Sequence, residues 1–157
     1  MLDFPRLAVG ADALYVSVNQ FQDGTTFVAP RAYAYDKLAM YNGLSARFNF
    51  ADAPTNAAGS VADTLQPAAS PTIGAYFVSA DNCNACSVVS VWTWTDPFGA
   101  SAFVLRGGVA VTSYSQPPNA AQPGGIVTTG DTRVLGALVQ GDLPRRIRIV
   151  DLSLLGG

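Results

Sequence analysis

The 157-residue sequence contains no histidine and no glutamate, and Lys37 is its only lysine. Without histidine the chain cannot assemble a Ser-His-Asp triad, a His general base or the two-histidine helix of a zinc hydrolase. The lack of Glu and Lys removes most of the strong polar helix formers. Charge of any sign is scarce: 13% of residues are charged and the formal net charge is −2, against about 25% charged in an ordinary soluble domain. Nine basic residues against eleven acidic ones provide no basic stripe for nucleic acid, which is excluded as a partner. Long apolar runs are missing as well. The opening MLDFPRLAVGADALYVS lacks a basic segment followed by the apolar stretch of about 7–15 residues that a secretory signal needs. Thr64–Ala80, although uncharged, is broken by Pro67 and Pro71, so no membrane insertion is expected.

What is present is turn and strand material. Fifteen Gly and ten Pro punctuate runs of Val, Thr, Tyr and Phe, the composition of short strands joined by turns. In Ala13–Phe21, Leu14, Val16 and Val18 alternate with Tyr15, Ser17 and Asn19, the period of a strand. An Asp23-Gly24 turn follows, and in Arg31–Lys37 the rings of Tyr33 and Tyr35 share one face while Ala32 and Ala34 share the other. The same plan recurs in Ala75–Ala80 and Val88–Thr95, where Trp92 and Trp94 share a face. Ala13, Val16 and Ser17 coincide with Ala75, Val78 and Ser79 at a spacing of 62, and Tyr33 and Tyr35 with Trp92 and Trp94 at 59, which predicts a second hairpin loop three residues shorter. Further strands are expected at Arg6–Gly10, Ala46–Phe50, Ser101–Arg106 and Val109–Tyr114.

About four strands per repeat of roughly 60 residues is compatible with β-propeller blades, whose repeats commonly run about 40–50 residues. The expected organisation is one all-β unit over 1–157. It comprises a first blade-like repeat over 1–62, a second over 63–116, and a loop with a partial third over 117–157. Two and a fraction blades leave the ring incomplete, since the smallest propellers have about four, so open edges, uncovered apolar faces and self-association are expected. A two-sheet β-sandwich is the alternative. Apolar or β-branched side chains on both faces of Val88–Thr95 favour stacked blades. Asp52–Ser70, poor in large side chains, and the proline-rich Ser115–Gly125 read as loops. Asp36 is placed to cap one helical turn that Gly43 ends.

The segments DFPRLAVGADALYVSVNQF, RAYAYDK, AYFVSADN, SQPPNAAQPGG and TTGDTRVLGALVQGD resemble consecutive parts of a family of large secreted bacterial proteins with predicted β-propeller regions and mostly unassigned activity. The likeness runs from about Asp3 to Asp142, with DFPRL and TGDTRVL its most specific parts. It implies an extracellular or cell-surface propeller segment of a longer protein. After Leu143 the sequence departs into PRRIRIVDLSLLGG, which a strand, a truncation or a shifted reading frame would each explain.

The chemistry-bearing residues are few. Cys83 and Cys86 have CxxC spacing, but a redox CxxC sits at a helix N-terminus, and Ser87–Thr95 reads as strand. Zinc needs about four ligands, and two Cys with only Asp to help do not supply them. A disulfide across the hairpin tip is the preferred reading, with free thiols the alternative. QDGTTF at Gln22–Phe27 and Ser79–Cys83 are degenerate versions of the hairpin-tip motif of sialidase-type propellers, which folds a turn. Asp3, Asp23, Asp36, Asp63 and Asp81 are scattered as turn formers, so no catalytic pair is assigned. Asp23, Asp81 and Asn82 lack the spacing of a calcium loop, so no cofactor or metal is assigned. Tyr33, Tyr35, Trp92 and Trp94 could form a stacking platform for sugars, although their alternation on strands points first to packing between sheets. The Arg145–Arg148 cluster could meet an anionic glycan or line an exposed edge. The expected function is a non-catalytic scaffold or binding surface for a cell-surface or carbohydrate partner. The alternative is part of a glycan-cleaving propeller enzyme completed by further blades.

Overall fold

The computed structural model describes residues 1–52, 55–127, 134, 136–140 and 146–150, and they form an all-β protein. Strands β1 (Leu2–Val9), β2 (Ala13–Gln22), β3 (Thr26–Asp36) and β4 (Phe48–Asp52) make one four-stranded antiparallel sheet in chain order. A second sheet of the same order contains β5 (Gln66–Ala69), β6 (Ala75–Ala80), β7 (Cys86–Thr95) and β8 (Ala102–Tyr114). Two short antiparallel pairs follow, β9 (Ala120–Gln122) with β10 (Gly125–Val127) and β11 (Gly136–Gln140) with β12 (Arg146–Val150).

Local sequence accounts for the connections. Asp23 and Gly24 both take positive φ, +51° and +75°, and Thr25 N–H donates to the Gln22 carbonyl; two positive φ values in a row match the right-handed twist of the hairpin. Asp36 extends to cap α1 (Lys37–Tyr41), its Oδ1 accepting from Ala39 N–H at 3.1 Å. That bond and Arg47 hold its carboxyl below the usual range. Gly43 follows the helix at φ +66°, the left-handed position that ends a turn without a Cβ clash.

One expectation needs refinement and three need correction. Asp52–Ser70 is mostly connection, as expected, but it pairs and packs more than its small side chains suggest: it ends in β5, and Ala62, Thr64, Leu65 and Ala68 are buried. A proline sits within that strand because β5 is the sheet's edge, where a missing N–H costs no ladder bond. Ser115–Gly125 does enter regular pairing, through β9 and β10, because Pro123 and Gly124 (φ +91°) occupy the turn rather than the strands. Ser101–Arg106 and Val109–Tyr114 are one strand, β8, carried through Gly107 at φ +118°. Finally, the repeat spacing of 62 is out by one. Leu14 and Val16 pair with Tyr35 and Tyr33, while Ala75 and Phe77 pair with Trp94 and Trp92. The register therefore equates Leu14 with Ala75, 61 residues on, and the second hairpin is two residues shorter, not three. A slip of one residue reverses the face of every side chain, so the coincidence of Ala13 and Ser17 with Ala75 and Ser79 joined residues on opposite faces.

With the register corrected, the sheets match strand for strand. Leu7 and Val9 correspond to Pro67 and Ala69, and Phe48 and Phe50 to Phe103 and Leu105. We call the face carrying Tyr33 and Tyr35, or Trp92 and Trp94, the front. The back of the first sheet packs on the front of the second: Ala13, Tyr15, Ala32 and Ala34 form one core with Leu65, Ala75, Phe77, Trp92 and Trp94. The back of the second sheet, Val78, Ala80, Val89 and Val91, packs against Val134 and Ala137. Small side chains face large ones, which lets the two sheets approach to ordinary packing distance, about 10 Å.

Candidate functional site

Strand alternation separates the side chains of β3. Ala32 and Ala34 enter the core, so Tyr33 and Tyr35 face the other way, and antiparallel pairing sets Phe50 and Phe48 of β4 beside them. The Tyr33 and Tyr35 rings stack, with centroids 5.9 Å apart and an interplanar angle of 22°. Tyr35 lies 5.7 Å from Phe48 and Tyr33 6.3 Å from Phe50. Leu14 and Val16 of β2 and Val9 and Leu7 of β1 extend the same face by register. At its rim Arg31 makes a two-point ion pair with Asp52, through Nε to Oδ1 and Nη2 to Oδ2 at 2.8 Å, and lies 4.6 Å over the Phe50 ring. Phe48 is 57% exposed, Phe50 47% and Leu7 60%. An apolar sheet face this continuous is a candidate interaction surface, and its rim charge is internally neutralised.

The four aromatic residues singled out in the sequence do not form one platform. Trp92 and Trp94 are 1% exposed and belong to the core between the sheets, since the back of the first sheet covers them. Tyr33 and Tyr35 lie on the opposite side of that sheet. Phe48 and Phe50 were not singled out, although their alternation around Asn49 was a usable signal. Thr129–Arg133 and Arg145 fall outside the described residues, so the Arg145–Arg148 cluster is not assembled here.

Cys83 and Cys86 stand at disulfide distance at the β6–β7 tip, with Cα atoms 6.0 Å apart. Cys86 opens a strand, not a helix, so the pair lacks the helix N-terminus on which a redox CxxC sits. The unreduced protein is expected to take up no alkylating agent, while reduction should add two labels by mass and cost about 2 kcal/mol of stability or less, the value for closing so short a loop.

Several of the described aspartates hold structure together. Asp12 accepts the Tyr15 hydroxyl with both oxygens, at 2.9 and 3.0 Å, and Gly74 N–H at 3.1 Å. Asp81 accepts Asn56 Nδ2 at 3.0 Å, and Asp96 accepts Ala100 N–H at 3.0 Å. Between the sheets Asn19 Nδ2 donates to Thr64 Oγ1 at 2.8 Å and Ser17 to the Leu65 carbonyl. These polar joints over a 45- to 48-residue separation leave no local trace in the sequence.

Burial, and then the Asp12 carboxylate, push the Tyr15 phenol far above its ordinary value near 10. A raised pKa means that the unfolded chain loses the proton first, so this contribution is complete below pH 10 and falls as pH rises above it. Urea midpoints measured at pH 8 and pH 11 should therefore drop steeply for the native protein and less steeply for Tyr15→Phe; equal slopes would refute it.

Among the described residues no helix is long and apolar enough to cross a membrane, and no group of three or more Cys or Asp side chains gathers as a metal site. Comparison with protein-family models, with curated proteins and with solved structures finds no match to this chain.

Proposed function

We propose that the chain is a non-catalytic segment of an extracellular β-propeller, a scaffold whose outer loops and rims meet a cell-surface or carbohydrate partner. The observation that carries this reading is the placement of the leading strands. β1, β5 and β11 are each the first strand of an antiparallel unit, and β5 lies against both β1 and β11. First strands gathered side by side, with their sheets stacked front to back, are what blades around a common axis require. A two-sheet sandwich has no place for a third unit whose first strand joins the same row. The pairing of Cys83 with Cys86 supports an oxidising location. The occupation of Asp12, Asp36, Asp52, Asp81 and Asp96 in caps, joints and an ion pair favours the scaffold over a glycan-cleaving enzyme, which needs two carboxyls flanking an open cleft.

Imaging tests the architecture. A chain in which residues 1–116 are repeated in tandem supplies four sheets, about the minimum for closure. Electron microscopy should show an annulus with a central channel. Open rods or paired slabs would overturn the proposal.

A further inference from the structure

The front faces of the two sheets are equivalent by register but differ in one respect. In the second sheet that face is sealed: Phe77, Trp92 and Trp94 are at most 1% exposed beneath Ala13, Tyr15, Ala32 and Ala34. In the first sheet the matching positions, Val16, Tyr33 and Tyr35, are only half-buried, and Phe48 and Phe50 beside them are exposed. The molecule thus contains one complete interface between four-stranded sheets, another where the back of the second sheet meets Val134 and Ala137, and the unmatched front of the first sheet.

We propose that the front of the first sheet is a docking surface for the back of a further four-stranded antiparallel sheet whose central strands present alanine or other small side chains at alternate positions. This rests on the scaffold reading above and specifies the partner it implies. Three observations define the occupant. The internal interface opposes the rings of Phe77, Trp92 and Trp94 to three alanines and a single ring, Tyr15, and sheets packed about 10 Å apart cannot accommodate rings against rings over their whole area. The rim of the open face carries Arg31 already paired with Asp52, so a neutral partner is matched and a charged one is not. Among the described residues, the two four-stranded sheets of a second copy offer no suitable free face. The alanine-bearing back of the first sheet is covered by Trp92 and Trp94, and the back of the second sheet is covered by Val134 and Ala137.

The test compares two proteins by hydroxyl-radical oxidation and mass spectrometry, at concentrations where sedimentation shows single chains. One is the full chain. The other is the full chain preceded by an extra copy of residues 1–62 carrying Tyr33→Thr and Tyr35→Thr, which make its peptides distinct in mass. Oxidation of Tyr33 and Tyr35 in the original copy should fall at least fivefold when the extra sheet precedes it. Adding Ala32→Arg and Ala34→Arg to the extra copy should restore oxidation to the level of the full chain alone. Unchanged oxidation in the extended protein overturns the proposal. So does protection of the unextended chain that appears together with a stoichiometric dimer, or on adding cellohexaose or chitohexaose, which would assign the face to a second copy or to a glycan. Protection without an annulus in the tandem chain removes the propeller and leaves the docking; an annulus without protection does the reverse.

Discussion

Trp94→Ala should cost about 3–5 kcal/mol, the range for deleting a large aromatic side chain from a core, and so remove much of a stability that for a domain of this size is about 5–15 kcal/mol. Trp94 is 1% exposed and lies 6.3 Å from Tyr15, 6.2 Å from Phe77 and 5.5 Å from Phe103. It therefore joins the two sheets as well as filling the second. Its Nε1 donates to Ser101 Oγ at 2.8 Å, a bond that the substitution also deletes. Tyr35→Ala is the informative comparison, because Tyr35 occupies the same register position on the uncovered face. It should cost only about 1 kcal/mol, since most of what it touches is its own sheet. Chemical denaturation followed by circular dichroism reads both. Equal losses would mean that the sheets are not stacked front to back.

The second large effect is expected at Gly74, where the chain turns into β6. Its φ is +96°, and a Cβ there would run into the backbone carbonyl oxygen of Trp94, an atom that the β6–β7 pairing prevents from moving aside. Gly74→Ala should therefore lose about 1–3 kcal/mol to backbone strain and more to the clash, with the Gly74 N–H bond to Asp12 broken as the turn shifts. Gly24→Ala isolates the strain, because Gly24 has φ +75° but open space around its Cβ position. A denaturation midpoint clearly lower for Gly74→Ala than for Gly24→Ala is the expected result. Matching midpoints would show that the contact with Trp94 is not rigid.

These two predictions also mark how far the sequence could be read. Alternation in ALYVSVNQF, RAYAYDK and VVSVWTWT was sufficient for the central strands, and Asp23-Gly24 for the turn between two of them, because those patterns depend on neighbours one to four residues away. The strands that escaped notice lie at the margins. β5 consists of Gln, Pro and Ala and carries no strand signature; it forms because β6 provides a ladder for it and Leu65 is drawn into the core beside it. The joining of two expected strands into β8 was hidden by Gly107 and Gly108, which suggest a break and in fact permit a bulge. The one-residue error in the repeat spacing has the same origin, since Ala and Ser recur on both faces and only cross-strand pairing states which face each occupies.

The open face illustrates the division. That Tyr33 and Tyr35 share one side of a strand and Trp92 and Trp94 one side of another followed from the period of an extended chain, which is a local property of the backbone. That one pair is sealed and the other only half-buried did not, because burial is decided by which sheet lies against which, and the sequence treats the two pairs alike. Composition alone had already determined that the chain would be strands and turns and would lack histidine chemistry. Only tertiary packing, by setting an alanine-rich face against one aromatic face and nothing described against the other, decided which of the two is sealed.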